Sequence, residues 1–275
     1  MSTLSFISQD PFFAVPQSTT VTSQGPVQLP ILYHQVRNLN AFFMVDRGRV
    51  QRALDQAGAT DLQPACLWRD RALVAFACYE YTHTSIGPYN EIGVAVPVVA
   101  KGQPTSWRRW LETLSAPDAP GRQLGYFVLH LPVNTDVACA AGREIWGLPK
   151  FVAPIHYGRE ARRVDIQLHD PEARSQDMKV IAHLHGDLRM GLPAPSLSPL
   201  LYSQQGGGWL QTTVNVRGAV RLCRGAGMTL NVGASSHPMA STLRSLALDG
   251  AQPWLVTDTD RFQSQLHAGK RMLPV

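Results

Sequence analysis

The sequence predicts an α+β fold made mainly of antiparallel β-strands. Strand-like apolar runs predominate along the 275 residues, helical patterns are few, and turn residues separate the runs. Hydrophobic residues make up 44% of the chain and charged residues 16%, which is typical of a compact globular protein. A chain of this length can bury a substantial core.

The first 28 residues differ in composition from the rest of the chain. They are rich in Ser, Thr, Gln and Pro, which predicts an extended N-terminal arm over residues 1–28. Phe12, Phe13 and Val15 are the residues that would hold this arm against a surface. Residues 29–275 are predicted to form a single domain.

Strands and one helix are predicted in the first half of that domain. Residues 41–45 are strand-like, and residues 49–57 carry apolar side chains at helical spacing. Near-continuous apolar runs at 73–79, 92–99 and 126–131 are typical of well-buried strands.

The second half of the domain continues with strands and turns. Residues 163–168 and 180–185 alternate apolar and polar side chains, as half-buried strands do. Residues 192–208 are rich in Pro, Ser and Gly, so we predict a long surface loop there rather than a linker between domains. Residues 241–248 are predicted to form a short helix after a turn at 235–238.

The charge distribution argues against nucleic-acid binding. The formal net charge is +5 and the pI is near 9.2, which suits an anionic small-molecule ligand. The arginines are scattered, and no basic run is interleaved with aromatic residues. We therefore expect no nucleic-acid partner.

The N-terminus, the apolar runs and the cysteines predict a cytoplasmic protein. The first residues lack the basic and apolar segments of a signal peptide, and no apolar run approaches the roughly 18 residues of a membrane helix. The four cysteines form no C-x-x-C pair, as expected in a reducing compartment. We expect no membrane partner.

Lys150 is the strongest candidate for a catalytic residue. It is one of only four lysines in the chain, and it lies in the apolar stretch 145–151. Apolar surroundings disfavour the charged form of an amine, and a neutral amine attacks carbonyl groups to form a Schiff base. The alternative is that Lys150 buries its stem and keeps its amine in water.

Two sequence blocks carry a resemblance to a known family. Residues 143–150, Arg-Glu-Ile-Trp-Gly-Leu-Pro-Lys, are similar to the signature around the Schiff-base lysine of acetoacetate decarboxylases. Residues 87–98 resemble a second block of that family, in the same order and at the same spacing. Weaker similarity at 223–228 and 235–238 extends the resemblance over most of the chain from about residue 29.

The resemblance implies a fold and a chemistry. The fold would be a sheet curled into a barrel or cone around a central buried pocket, in a chain that forms a homo-oligomer. The activity would be that of a cofactor-independent lyase that decarboxylates a β-keto acid through a Schiff base on Lys150. Relatives that share the lysine include aldolases and dehydratases, so action on pyruvate-like keto acids is an alternative. A further alternative is a protein that binds an organic anion without turnover.

Glu91 and Arg37 are the polar residues to which the resemblance assigns further roles. Glu91 matches the family's active-site glutamate, which implies that it orients the substrate or moves a proton. Apart from the resemblance, an ion pair with an arginine is the alternative for Glu91. With a one-residue shift of the local alignment, Arg37 matches the arginine that family members offer to the substrate carboxylate, and Val36 competes for that place. Arginine suits that role because it forms bidentate pairs with carboxylates.

Arg143 and Trp146 lie inside the main motif and are candidate substrate contacts. For Arg143 the structural alternative is an ion pair with Glu144 or another neighbour. For Trp146 the structural alternative is packing in the core.

Two departures from the family pattern suggest an altered pocket. Phe151 stands where a second lysine usually follows the nucleophile, and Phe76 stands where the family has a second carboxylate. As pocket residues, both would leave Lys150 activated by desolvation alone. They would also favour a bulkier or more apolar keto acid than acetoacetate.

Other motifs give little support for a metal or a cofactor. His183 and His185 lie two residues apart and so share one face of a strand, but two histidines alone make a poor metal site. His237, which precedes a proline in a predicted turn, is interpreted as structural. The sequence has no G-x-S-x-G, P-loop or G-x-G-x-x-G motif. We predict neither a bound metal nor a cofactor.

Overall fold

Antiparallel strands dominate the computed structural model, which describes residues 10–68, 70–105, 107–172 and 179–272. The strands in this part of the chain are β1 (Ser18–Thr22), β2 (Gly25–Leu29), β3 (Ile31–Asp46), β4 (Leu62–Pro64), β5 (Cys66–Trp68), β6 (Arg71–Thr84), β7 (Tyr89–Ala100), β8 (Gly125–Val133), β9 (Lys150–Val152), β10 (Ile155–Glu160), β11 (Arg163–His169), β12 (Val180–Asp187), β13 (Gly191–Ala194), β14 (Leu200–Gln205), β15 (Gly208–Gly218), β16 (Val220–Arg224), β17 (Met228–Val232), β18 (Leu255–Leu266) and β19 (Lys270–Arg271). The helices are α1 (Arg47–Gln56), a 3-10 helix (Trp107–Leu114), α2 (Asp136–Trp146) and α3 (Pro238–Ser245).

One large curled sheet forms most of the fold. Its central strands run β18–β3–β6–β7–β8, each antiparallel to the next. Beyond β8 the order continues through β14, which is parallel to β8, to β15 and β19. The predicted mainly antiparallel α+β class and the curled sheet are confirmed. Strand β15 also pairs with β18, from Val214 opposite Leu266 to Gly218 opposite Phe262, so the sheet curls back on itself, and β13 and β19 lie at the ends of the strand order.

A second sheet of four strands, β10–β11–β12–β17, closes the core from another side. Its strands alternate as the sequence predicts, with Val164, Ile166 and Leu184 fully or almost fully buried. The short helix α3 packs into the same core through Met239 and Leu243.

The N-terminal segment contains a hairpin. Strands β1 and β2 pair in antiparallel register, and Val27 and Leu29 are buried in the core. The turn of the hairpin is bound to α2, where the Ser23 backbone N–H donates to Glu144 Oε2 at 2.9 Å. Phe13 is buried with its ring 4.3 Å from the His34 ring. The assignment of an extended arm covers residues 1–9 as well, which lie outside the described residues.

The segment 192–208 is not the surface loop that its composition suggested. It contains β14, whose hairpin with β15 continues the main sheet, and it buries Leu200 and Tyr202. The glycines serve the hairpin turn, because Gly206 and Gly207 both have positive φ angles of 57° and 75°. The prediction was wrong because it rested on the turn glycines and prolines, which dominate the composition of the segment, and not on the buried strand residues Leu200 and Tyr202.

Helix α3 begins three residues before its predicted start. His237 caps it, since its Nδ1 accepts a hydrogen bond from the Met239 backbone N–H at 3.2 Å, and Pro238 occupies the first helical position. Among the described residues, no helix has both the length and the apolar character needed to cross a bilayer.

Candidate active site

The turn after α2 delivers Lys150 to the interior of the sheet. Gly147 ends the helix in the left-handed conformation, with φ of 62°, and its N–H donates to the Arg143 carbonyl at 3.1 Å. Three residues later the chain enters β9, where Lys150 pairs with Leu131 of β8 in parallel register. The sequence therefore fixes the lysine between a helix end and a short strand.

Gly142 makes room for the stem of that lysine. A Cβ built at this position would lie 2.3 Å from Lys150 Cδ and 2.5 Å from Lys150 Cε. No real Cβ comes that close to another carbon, so the lysine lies across the backbone of α2 because residue 142 has no side chain. Gly142 therefore belongs to the architecture of the site.

Lys150 and Glu91 form a buried pair. The Lys150 Nζ atom lies 2.6 Å from Glu91 Oε2, and the two side chains are 6% and 9% exposed. The other carboxylate oxygen, Oε1, accepts a hydrogen bond from the Tyr81 hydroxyl at 3.1 Å. Both oxygens of Glu91 are thus held, one by the amine and one by a phenol, as a buried charged group requires.

Tyrosines surround the pair. The Tyr89 hydroxyl donates to the Tyr33 hydroxyl at 3.2 Å, and the Tyr81 and Tyr89 rings stack with centroids 4.4 Å apart. Lys150 Nζ lies 5.6 Å from the centroid of the Tyr89 ring. Burial, and then the charge of Glu91, raise the pKa of Tyr81 well above its usual value, so its phenol remains a neutral donor.

Lys150 and Glu91 line a mainly apolar cavity of about 240 Å³. Strands β3, β6 and β7 form one wall, on which residues at alternate positions face the cavity. Within the described chain, Lys150 is the one cationic side chain in the cavity lining. The polar residues that line the cavity come from six strands and one loop and are Tyr33, Asn38, Asn40, Tyr79, Tyr81, Glu91, Tyr126, Lys150, Ser196, Thr257 and Ser264.

The structure brings Lys150 and Glu91 together and leaves Arg37 apart from them. Asn38 and Asn40 line the cavity from β3, so Arg37, between Val36 and Asn38, faces the other side of the sheet. The Arg37 guanidinium is about half exposed and pairs with Glu80 at 3.0 Å. In this structure Arg37 does not reach the amine or the cavity.

The two phenylalanine departures also lie outside the cavity lining. Phe76 stands between the lining residues Ala75 and Ala77 on β6, so its side chain enters the core behind the wall, where it is 1% exposed. Phe151 packs against the His237 ring, with centroids 4.5 Å apart. Neither replaces a polar group on the cavity surface of this structure, so neither accounts for its apolar character.

Trp146 and Arg143 have structural contacts. Trp146 is fully buried in the core, and its Nε1 donates to the His267 carbonyl at 2.9 Å. Arg143 is exposed on α2, and its carbonyl accepts the N–H that ends the helix. Neither side chain lines the cavity.

The tyrosines and asparagines that line the pocket were not among the residues predicted from the sequence. A signal existed, because Tyr79 and Tyr81 continue the alternation of Ala75 and Ala77 along β6. That alternation was hidden in a run that is apolar on both faces.

The histidines of β12 form a polar face away from the cavity. His183 Nε2 lies 2.7 Å from Asp165 Oδ1, and the His183 and His185 rings lie 4.5 Å apart. In the described part of the chain, no group of three or more His, Cys, Asp or Glu side chains is placed to hold a metal ion.

The fold and the lysine motif define the class of protein. The chain belongs to the acetoacetate decarboxylase family, whose family model, described as acetoacetate decarboxylase (ADC), matches residues 14–187. The resemblance stated from the sequence is therefore confirmed. The sequence has no significant match among curated proteins.

Solved structures of related proteins share the fold at low sequence identity. Acetoacetate decarboxylase from Legionella pneumophila subsp. pneumophila str. Philadelphia 1 matches with a TM-score of 0.64 and 15% identity over 97% of this chain and 95% of that chain. The enduracididine biosynthesis enzyme MppR complexed with pyruvate matches with a TM-score of 0.58 and 14% identity over 89% and 91%. An acetoacetate decarboxylase-like enzyme from Sphingomonas wittichii RW1 matches with a TM-score of 0.59 and 13% identity over 90% and 94%.

Proposed function

We propose that this chain is a cofactor-independent lyase that decarboxylates a β-keto acid through a Schiff base on Lys150. The observation that carries the proposal is the buried contact of 2.6 Å between the Lys150 amine and the Glu91 carboxylate inside a mainly apolar cavity. An amine and a carboxylate at that distance can exchange a proton within the pair. The membership of the family supports the same chemistry.

Proton transfer within the pair accounts for the first half of the reaction. Glu91 takes a proton from the ammonium of Lys150, and the neutral amine attacks the ketone carbon. A proton moves from the attached nitrogen to the alkoxide oxygen, which gives a carbinolamine. The protonated Glu91 then gives its proton to that hydroxyl, so that water leaves and an iminium ion forms beside the substrate carboxylate. The bond between the α-carbon and the substrate carboxylate breaks, and its electron pair moves toward the iminium nitrogen as carbon dioxide departs.

The second half of the reaction regenerates the enzyme. The enamine takes one proton, ultimately from water, at the carbon that lost carbon dioxide. Hydrolysis of the resulting iminium ion frees the ketone and the lysine. Tyr81 stays neutral throughout and holds the Glu91 oxygen that does not touch the amine.

The charge of the cavity favours decarboxylation over an aldol reaction of pyruvate. The Lys150–Glu91 pair is neutral overall, and the described lining offers no second cation to a substrate carboxylate. A buried anion without a partner is costly. Decarboxylation removes that anion as carbon dioxide, whereas a pyruvate aldolase must keep it through every step. The homo-oligomer inferred from the family remains part of the proposal.

Borohydride trapping tests the proposal. The protein is incubated with β-keto acids or with pyruvate, reduced, digested and analysed by peptide mass spectrometry. We expect added mass at Lys150, with the mass of the decarboxylated product, and release of carbon dioxide. Adducts that keep the carboxylate of pyruvate and extend it with an aldehyde would favour the aldolase alternative.

Lys150→Ala is expected to abolish both the adduct and the turnover, because the nucleophile is gone. Lys150→Arg keeps the positive charge but cannot form an imine, so it should be equally inactive. Turnover that survives in Lys150→Ala would refute the Schiff-base mechanism. Ligand binding without any adduct, from folded protein, would favour a non-catalytic binding protein.

A further inference from the structure

The cavity extends from the Lys150–Glu91 pair along a wall of very small side chains. Across β3, β6 and β7, Asn38, Tyr79 and Glu91 are cross-strand neighbours and form the row at the reacting end. The next row along the strands contains Asn40, Ala77 and Gly93, of which Ala77 and Gly93 are small.

A third row lies beyond the second and is entirely apolar. It consists of Phe42, Ala75, Ala95 and Val128, which are neighbours on four successive strands. Every one of these residues lines the cavity. Because alternate residues of a strand are about 6.7 Å apart, the third row lies roughly 13 Å from the row of Glu91.

Small side chains in the second row leave space between the reacting end of the cavity and the third row. Ala77 and Gly93 carry at most a methyl group. The Leu131 side chain packs over Gly93, since its Cδ1 would lie 3.2 Å from a Cβ at that position. The passage between the reacting end and the apolar row therefore runs over Ala77, which lines the cavity. A larger side chain at position 77 would project into this passage, because Ala77 lines the cavity.

Asn40, the polar residue beside the passage, already makes its hydrogen bonds within the protein. Asn40 donates to Asn38 Oδ1 at 2.8 Å and to Thr257 Oγ1 at 2.9 Å, and its own Oδ1 accepts from Asn38 at 3.2 Å. It therefore has little hydrogen-bonding capacity left for a polar group on a ligand. The passage suits an uncharged hydrocarbon group.

We propose that the substrate is a β-keto acid with an alkyl tail, and that the tail runs over Ala77 to the row of Phe42 and Ala75. This proposal rests on the proposed function, because it takes Lys150 as the site that holds the ketone. Ala77 and Ala75 act as specificity-determining residues by keeping the passage open, and Phe42 limits its far end.

A series of β-keto acids measures the length of the tail site. Acetoacetate, β-ketohexanoate, β-ketooctanoate and β-ketodecanoate are compared by kcat/KM. We expect kcat/KM to rise roughly fourfold for each added methylene until the third row is filled, since burial of a methylene is worth about that factor in affinity. Ala77→Leu should lower the ratio of kcat/KM for β-ketooctanoate to kcat/KM for acetoacetate at least tenfold. Phe42→Ala should move the optimum to longer chains.

The matched control is Cys78→Ala, a change on the opposite face of β6 beside Ala77. It should leave the dependence on chain length unchanged even if the protein becomes less stable. A flat dependence, or acetoacetate as the best substrate of the wild type, would overturn the proposal.

Binding of methyl ketones of increasing length, measured by calorimetry, separates the tail site from the chemistry. If affinity rises with length and is lost in Ala77→Leu while no imine can be trapped, the tail site stands and the decarboxylase proposal fails. If imines are trapped on Lys150 but neither rate nor affinity depends on length, the decarboxylase proposal stands and the tail site fails. If no imine is trapped and affinity does not depend on length, both fail.

Discussion

At the scale of single residues, Tyr81 is the group that positions Glu91. Its hydroxyl donates to Glu91 Oε1 at 3.1 Å, and the raised pKa of this phenol keeps the proton on its oxygen. A hydrogen bond to a charged group is worth about 1.5–3 kcal/mol, so we expect Tyr81→Phe to lower kcat roughly tenfold or more. The measurement is steady-state kinetics with trapping yield, and KM should change little.

Tyr79→Phe is the control for that substitution. Tyr79 lines the same cavity and stacks on Tyr81 at 5.4 Å, but its hydroxyl does not bond to Glu91. We expect its effect on kcat to be several-fold smaller. Equal losses in the two variants would mean that the hydroxyls act through the polarity of the cavity and not through the bond to Glu91, and the positioning role of Tyr81 would be withdrawn.

At the scale of elements, the sequence was most informative where one residue pattern decides the structure. The alternation of β11 and β12, the apolar runs of β6 and β7, and the helix α1 all lie where their patterns predicted them. These patterns are local, because the periodicity of a strand or helix is visible in the residues of that element alone.

The face that each strand turns to the cavity was not predictable in the same way. Strand β6 is apolar on both faces from Leu73 to Cys78, so only the later Tyr79 and Tyr81 mark the face that it turns to the cavity. On β3 the family resemblance made Arg37 a candidate, whereas its neighbour Asn38 is the residue that lines the pocket. Family similarity identified Lys150 and Glu91 as candidates, but not the side chains around them.

Helix α2 affects the chemistry through Gly142. Gly142→Ala would add a Cβ within 2.5 Å of the Lys150 stem, and the flexible lysine can move away from it. The helix itself should gain about 0.5–1 kcal/mol, because alanine is the better helix former. Displacing the lysine also breaks its buried contact with Glu91, which costs about 3–5 kcal/mol and outweighs the gain of the helix. We therefore expect a protein of lower thermal stability whose trapping rate falls at least tenfold.

Gly48→Ala in α1 is the matched control for this change. A Cβ there would meet only Asp46 Oδ1 at 3.2 Å and an Arg52 guanidinium nitrogen at 3.6 Å, outside the cavity lining. It should leave the trapping rate unaltered. If Gly142→Ala traps keto acids as fast as the wild type, the lysine does not need its observed path across α2.

At the scale of the whole molecule, His130 links the large sheet to helix α3. Its Nε2 lies 2.9 Å from Thr242 Oγ1. Burial, and then the nearby His237, lower the pKa of His130 to about 4, whereas an unfolded histidine titrates near pH 6.5. The neutral ring therefore contributes stability that is fully present above about pH 6.5.

Acidification should remove the stability contributed by the neutral His130 ring before most carboxylates titrate. Between about pH 6.5 and pH 4 the unfolded chain binds a proton that the folded chain excludes, so the free energy of unfolding falls as the pH falls through that window. Urea unfolding at pH 7 and pH 5 measures the slope, and His130→Gln should flatten it. The exposed His156, changed to Gln, serves as control and should leave the slope as in the wild type. If the free energy of unfolding of His130→Gln depended on pH as steeply as that of the wild type, His130 would not be the group that causes this dependence, and the prediction would be wrong.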